Sequence, residues 1–178
     1  MRRQYSVNEH QIIRAIGVVN CLYFNPKSEQ FWIIDYRIYD PDSDKKNKID
    51  HVEDMMFDVV NKKKLLFKTV LMEIWYATKK IMALIDNDRK IYCFPLKMNR
   101  LVDDTVGVEK YKNISALSWN ELEKISGNII KIKGFTRNKK FKLFWITISA
   151  NITEYIVTND FSKFSTDDVN LSRKLGGK

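Results

Sequence analysis

The sequence predicts a soluble, mixed α/β fold, with an α/β half followed by a β-rich half. Three observations carry this reading. Ile- and Val-rich runs of strand length recur between turn signals from Gln11 to Lys97, with apolar residues at helical spacing between them. From Asn128 onward, apolar runs follow one another with only polar turns between them. No window approaches the ~18 to 20 continuous apolar residues of a membrane span. With 44% hydrophobic and 30% charged residues, 178 residues suffice for one core, or one core carrying a sub-domain.

Gln11 to Phe24, QIIRAIGVVNCLYF, reads as a strand, buried on both faces near Gly17 to Tyr23. NPKSEQ is turn chemistry, and Phe31 to Tyr39, FWIIDYRIY, is a second strand, so the two make an antiparallel hairpin. DPDSDKKNK is a loop. A helix follows: Asp50 with Glu53 forms a capping box, and Val52, Met55, Met56, Val59 and Val60 share one face. Lys62, Lys63 and Lys64 close it at the negative end of the helix dipole. TVLMEIWYATKK then begins as a strand at Thr69 and carries a single carboxylate, Glu73, inside an apolar run.

A shorter helix starts near Tyr76, with Ala77, Ile81, Leu84 and Ile85 facing a core. IYCFPLK returns as a strand, where Pro95 marks an edge or a strand end. Asn99 to Ser118 has weak periodicity. Trp119 to Ser126 makes one or two helical turns stopped by Gly127. NIIKIK, FKLFWITIS and EYIVT form a β-meander, and the tail from Asp160 is polar.

The net charge of +9, from 31 basic and 22 acidic residues, favours a polyanionic partner, nucleic acid before membrane. The polar start MRRQYSVNEHQ has no signal-peptide core behind it, so a cytoplasmic location is expected. Cys21 and Cys93 sit in strand-like runs and read as small buried hydrophobes. Asp40, Asp42 and Asp44 suggest a calcium loop, but Lys45 and His51 stand where that pattern needs Gly and Glu, so a solvated loop is the better reading. His10 and His51 have no ligand spacing, and His51 reads as structural.

The best basic groups are Lys97, Asn99 and Arg100 after a strand end, with Lys131, Lys133, Arg137, Lys139 and Lys140 on the later hairpin. Cations along a groove neutralise phosphates, and an exposed aromatic can stack on a base. Phe135, Phe141, Phe144 and Trp145 are interleaved with them, although aromatics there serve equally well to pack a sheet face. Asp35 and Glu73 are acids within strand-like segments. A buried carboxylate needs a partner or a cation, so each is either an ion-pair partner or a metal ligand.

The runs QFWIIDYRIYDPDSDKKNKIDHVEDMM, VLMEIWYA, PLKMNRLVDD, IIKIKGF, KLF and EYIVTND, in this order from about Ile12 to Asp160, resemble insertion-sequence transposases of the IS-four-like group with a DDE catalytic set. The resemblance implies an RNase H-like core over residues 1–98, a β-rich insertion over 99–160 and a divergent polar tail over 161–178. It implies DNA transposition by phosphoryl transfer, in which three carboxylates hold two Mg²⁺ or Mn²⁺ ions about 3.5–4 Å apart.

Glu73 takes the position of the second catalytic Asp, as metal ligand, and its burial would then be explained. The family's first Asp would lie upstream of this chain, and DVNLSRKLGGK stands where the Glu-bearing helix would come. The missing first strand would leave two strand edges without partners. Replacement of Asp by Glu shifts the carboxylate by about an ångström, which can cost about a hundredfold in rate. The expectation is a truncated, catalytically inactive transposase remnant of a mobile element. The alternative is a non-enzymatic basic protein that binds DNA, such as the element's terminal repeats, and could associate with a full-length transposase. A decayed gene product without function is the third possibility.

Overall fold

Two segments with different ways of burying apolar surface make up this chain. The computed structural model describes residues 2–6, 9–105, 110–149, 152–162 and 165. Contacts divide it into two compact units, Met1–Leu66 and Phe67–Lys178. Most of the tail expected over 161–178 lies outside the described residues.

In the first unit, β1 (Arg2–Ser6) pairs antiparallel with β2 (Gln11–Ala15). The single strand expected over Gln11 to Phe24 is therefore broken: β2 ends at Ala15, and β3 begins at Gly17 and runs to Asn25. β3 and β4 (Gln30–Tyr39) form the expected antiparallel hairpin, in register from Gly17↔Tyr39 to Asn25↔Gln30. The Asn25 side chain accepts a hydrogen bond from Lys27 N at 2.9 Å and closes the turn.

β3 is not buried on both faces. Gly17 and Val19 are buried while Val18, Asn20 and Leu22 are exposed. A two-stranded ribbon has one helix to cover it, so one face remains in water. After a short helix, α1 (Pro41–Asp44), in the segment expected to be a loop, comes α2 (Lys48–Phe57). It packs against β3 and β4.

Its capping box lies three residues upstream of the one expected. Asn47 Oδ1 accepts from Ile49 N and Asp50 N, and the Asp50 carboxylate accepts from Asn47 N at 2.9 Å. Asn is as good an N-cap as Asp, and the extended backbone of Asn47 decides between them. Val52, Met55, Met56 and Val59 are buried as their spacing predicts, whereas Val60 is half-buried. His51 is buried too, 3.2 Å from Asp44 and edge-on to Tyr39. A π-helical turn, Asp58–Lys62, ends the helix.

In the second unit, β5 (Thr69–Leu71) leads through a 3₁₀ turn, Ile74–Tyr76, into α3 (Lys79–Asn87), whose first turn is capped by Thr78. β6 (Ile91–Leu96) then returns parallel to β5. Pro95 is a strand-end proline. The β5 ladder stops at Leu71↔Cys93, so β6 has a partner on one side only when it reaches position 95.

β7 (Leu101–Asp103) and β8 (Lys112–Asn113) occupy the weakly periodic stretch, too short to imprint a pattern on it. α4 (Glu121–Ser126) is capped by Asn120 and stopped by Gly127. β9 (Asn128–Ile132), β10 (Phe141–Ser149) and β11 (Ile152–Thr158) form the expected meander.

These strands make one seven-stranded mixed sheet in the order β5-β6-β11-β10-β9-β7-β8. The division expected between residues 98 and 99 falls inside it, because β11 returns to pair with β6 and β9 pairs with β7. Tyr92, Phe94, Phe141, Leu143, Phe144 and Ile146 are fully buried in this unit, as are Ile81, Met82 and Ile85 of α3. Asn159 fastens the end of β11. Its amide donates to Asp86 at 2.7 Å and to the Lys90 carbonyl at 2.9 Å, and its oxygen accepts from Tyr92 N at 3.0 Å. Among the described residues, no helix is long and apolar enough to cross a membrane.

Candidate functional site

A cleft of about 420 Å³ opens at the carboxyl ends of the two parallel strands. Ile74, Trp75, Ala77 and Thr78, which follow β5, form one wall. Leu96, Lys97, Asn99, Arg100 and Leu101, at and after the end of β6, form another, and Lys133 closes the cleft from the end of β9. Open α/β sheets bind ligands in this place because the chain leaves both strands there and frees loop groups for contact. The volume falls within the range of small-ligand sites.

Backbone hydrogen bonds fix the cationic wall. Arg100 N donates to the Lys97 carbonyl at 2.9 Å and closes a turn. Ile114 N donates to Arg100 O at 3.0 Å, Ser115 N to Met98 O at 3.1 Å, and Lys133 N to Leu101 O at 3.0 Å. Side chains at 97, 99 and 100 thereby share one opening with that at 133, distant in sequence.

None of the described lining residues is a carboxylate. The described ion pairs engage Arg37, Lys46, His51, Lys62, Lys112, Lys124 and Lys139, but not Lys97, Arg100 or Lys133. Lys97 instead lies over the Trp75 ring, 4.1 Å from its centroid. Arg100 is half-buried, and burial alone lowers its pKa from the ordinary arginine value. A partly desolvated guanidinium without a carboxylate is an open position for an anion.

Four of the eight predicted basic or amide contacts converge here. The other four do not. Lys131 lies in β9 opposite Asp103 in the sheet register. Burial opposes ionisation of Asp103, but hydrogen bonds from the Thr105 hydroxyl and N–H and from the Lys110 backbone, with a smaller contribution from the Lys131 charge, hold its carboxyl below its usual range. Lys139 is bound to Asp86 at 2.8 Å. Arg137 and Lys140 are exposed in the segment between β9 and β10 and do not line the cleft.

The interleaved aromatics pack instead of stacking outward. Phe141 and Phe144 are fully buried, Phe135 meets Phe141 edge-on at 4.8 Å, and Trp145 lies against Trp119 and Tyr155. The exposed aromatic of the site is Trp75, 58% accessible, although in the sequence it belongs to an apolar run. The signal was its position beyond the end of a short parallel strand.

Glu73 is exposed, which corrects the expectation of a buried acid. β5 ends at Leu71, so alternation into the sheet stops before the carboxylate is reached. Glu73 has extended backbone and its carbonyl accepts from Tyr76 N at 3.0 Å, starting the 3₁₀ turn. Its charge adds to the effect of burial in raising the Tyr76 pKa.

An acid in water needs no cation to explain it. Among the described residues, no group of three or more His, Cys, Asp and Glu is placed to hold a metal ion. Asp35 is an ion-pair partner: Arg37 spans Asp35 at 2.9 Å and Asp58 at 3.1 Å. Cys93 packs with Phe144, Ile146 and Ile156, and Cys21 is half-buried, its thiol pKa raised by burial and by Asp35.

No family model matches the chain, and neither a characterised protein nor a solved structure matches it.

Proposed function

We propose that this chain is a nucleic-acid-binding protein that grips phosphates through the cleft at the ends of β5 and β6, without cutting the strand. The observation that carries the reading is the convergence of Lys97, Asn99, Arg100 and Lys133 on one opening with no described carboxylate to neutralise them. The net charge of +9 draws a polyanion toward it. Each cation that meets a phosphate releases a condensed counterion, so affinity would fall steeply with salt. The ordered runs from QFWIID to EYIVTND point to DNA and to an RNase H-like transposase ancestry.

Titration of a labelled DNA duplex and single strand at several salt concentrations tests this. Reversing Lys97, Arg100 and Lys133 to Glu should weaken binding by more than tenfold and flatten the log–log salt slope by about 0.9 for each phosphate no longer neutralised. Unchanged binding in the triple variant would overturn it.

A surviving transposase activity is the second reading, motivated by the position of Glu73 just past the end of a parallel strand. It requires strand transfer with Mn²⁺ that disappears in Glu73→Gln. Activity of that kind would replace the binding-only reading.

A further inference from the structure

We infer that the cleft takes an unpaired nucleotide, its base lying on Trp75 and its phosphate held by Arg100 and Lys133. This deepens the nucleic-acid reading above and rests on it. The starting point is Trp75, a large aromatic left 58% exposed at the rim of a cationic cleft. Phosphate contact alone needs no aromatic, and a core would bury one. An exposed indole beside cations matches the chemistry of single-strand recognition, where a ring stacks on a base and basic side chains follow the backbone. A duplex hides its base faces in the stack and offers Trp75 nothing to lie on.

The exchange of partners favours the ligand. Lys97 covers the ring at 4.1 Å, a cation–π contact that is weak at an exposed position. Base stacking on an aromatic is the stronger interaction. Lys97 displaced from the ring also gains a phosphate oxygen. Arg100, half-buried and bonded to no described carboxylate, gains the most from an anion. The exposed Asn99 amide, on the turn between Lys97 and Arg100, can hydrogen-bond a base edge but cannot by itself select one base. A volume of about 420 Å³ admits one nucleotide rather than a helix.

Full-length protein is titrated with oligo(dT), with a duplex of equal length and with thymidine monophosphate, in binding and tryptophan-fluorescence experiments. Oligo(dT) should bind at least about tenfold more tightly than the duplex. It should quench a component of fluorescence that is absent in Trp75→Ala. That variant should lose about tenfold affinity for oligo(dT) and little for the duplex, and Trp75→Phe, which keeps a ring, should recover most of it.

Lys27→Glu, an exposed charge change in the β3–β4 turn, serves as the control. Binding of thymidine monophosphate with the same loss in Trp75→Ala would assign the site to a free nucleotide. Binding of the oligomer alone would assign it to a strand. Equal affinity for duplex and single strand, unaffected by Trp75→Ala but abolished by reversal of the three cations, overturns this inference and leaves the phosphate-binding reading standing. No binding to any of the three overturns both.

Discussion

Residues 1–66 and residues 67–178 bury apolar surface in different ways. Among the described residues, the largest fully buried side chains, from Ile81 to Ile146, all lie in the second unit, where a seven-stranded sheet has α3 against it. In the first, a two-stranded hairpin covers one face with α2 and leaves Val18, Leu22, Ile33, Tyr36 and Ile38 exposed on the other. Val18↔Ile38 and Leu22↔Ile33 are cross-strand pairs and Tyr36 lies opposite the exposed Asn20, so the exposure belongs to a whole face. Strand residues alternate whether or not both faces find cover, and a ribbon of two strands is marginal unless something packs on it. The comparison teaches that a sequence rich in strand formers can specify a hairpin without specifying a closed core.

The strongest challenge to this contrast is Phe144→Ala. Its ring is fully inaccessible and packs with Cys93, Ile146 and Ile156, so truncation should cost about 3–5 kcal/mol in denaturant unfolding of the second unit. A cost below about 1 kcal/mol would mean that this core is loosely packed and the contrast is false.

Gly127→Ala should cost less, about 1–3 kcal/mol. Its φ of +77° is strained for any side chain, and a Cβ there would meet Phe144 Cε1 at 2.8 Å and the Leu143 carbonyl at 3.0 Å. A neutral result in thermal unfolding would show that β9 and β10 yield where the sheet is expected to be rigid.

Acid should act on both units. Asp58 in the first has its pKa held down chiefly by the hydrogen bond from Lys62, over an opposing effect of burial, with the Lys62 and Arg37 charges adding to it. Asp103 in the second is also depressed, as described above. A depressed folded pKa means that the stabilisation is present above the unfolded value, near 3.8, and is lost as pH falls through the lower folded value. Stability measured from about pH 6 to about pH 2 should therefore fall below about pH 4. Asp58→Asn should flatten the part of that fall belonging to the first unit, and an unchanged profile would remove Asp58 from the account.

The smallest effect is expected from Ile33→Thr. At 70% exposure, the change should stay within about 0.5 kcal/mol. A loss above about 1.5 kcal/mol would reveal that the hairpin's second face is covered in solution.

Legibility follows the range of the forces involved. The apolar face of Val52, Met55 and Met56 on α2, continued by Val59 in the π-helical turn, the helix stop at Gly127 and the β9–β10–β11 meander were readable because periodicity and turn chemistry act over a few residues. The capping box was misplaced because Asn47 and Asp50 are both competent caps and only the backbone at 47 chooses. β7 and β8 escaped notice because strands of three and two residues carry no period. At the cleft, Lys97, Asn99, Arg100 and Lys133 were legible as a basic group, whereas Lys131 and Lys139 were indistinguishable from them until Asp103 and Asp86 were located in space.

What the sequence determined by itself was local: the longer strands and the amphipathic helices, the excess positive charge and its concentration after β6 and around β9. What only the tertiary structure decided was which of those charges stay open and which acids stand in water. Glu73 shows the reason. Its neighbours are apolar along the chain, but solvation depends on distance through space, and the strand ends two residues before it. Trp75 is the converse, a residue the sequence would bury and the sheet's edge leaves exposed.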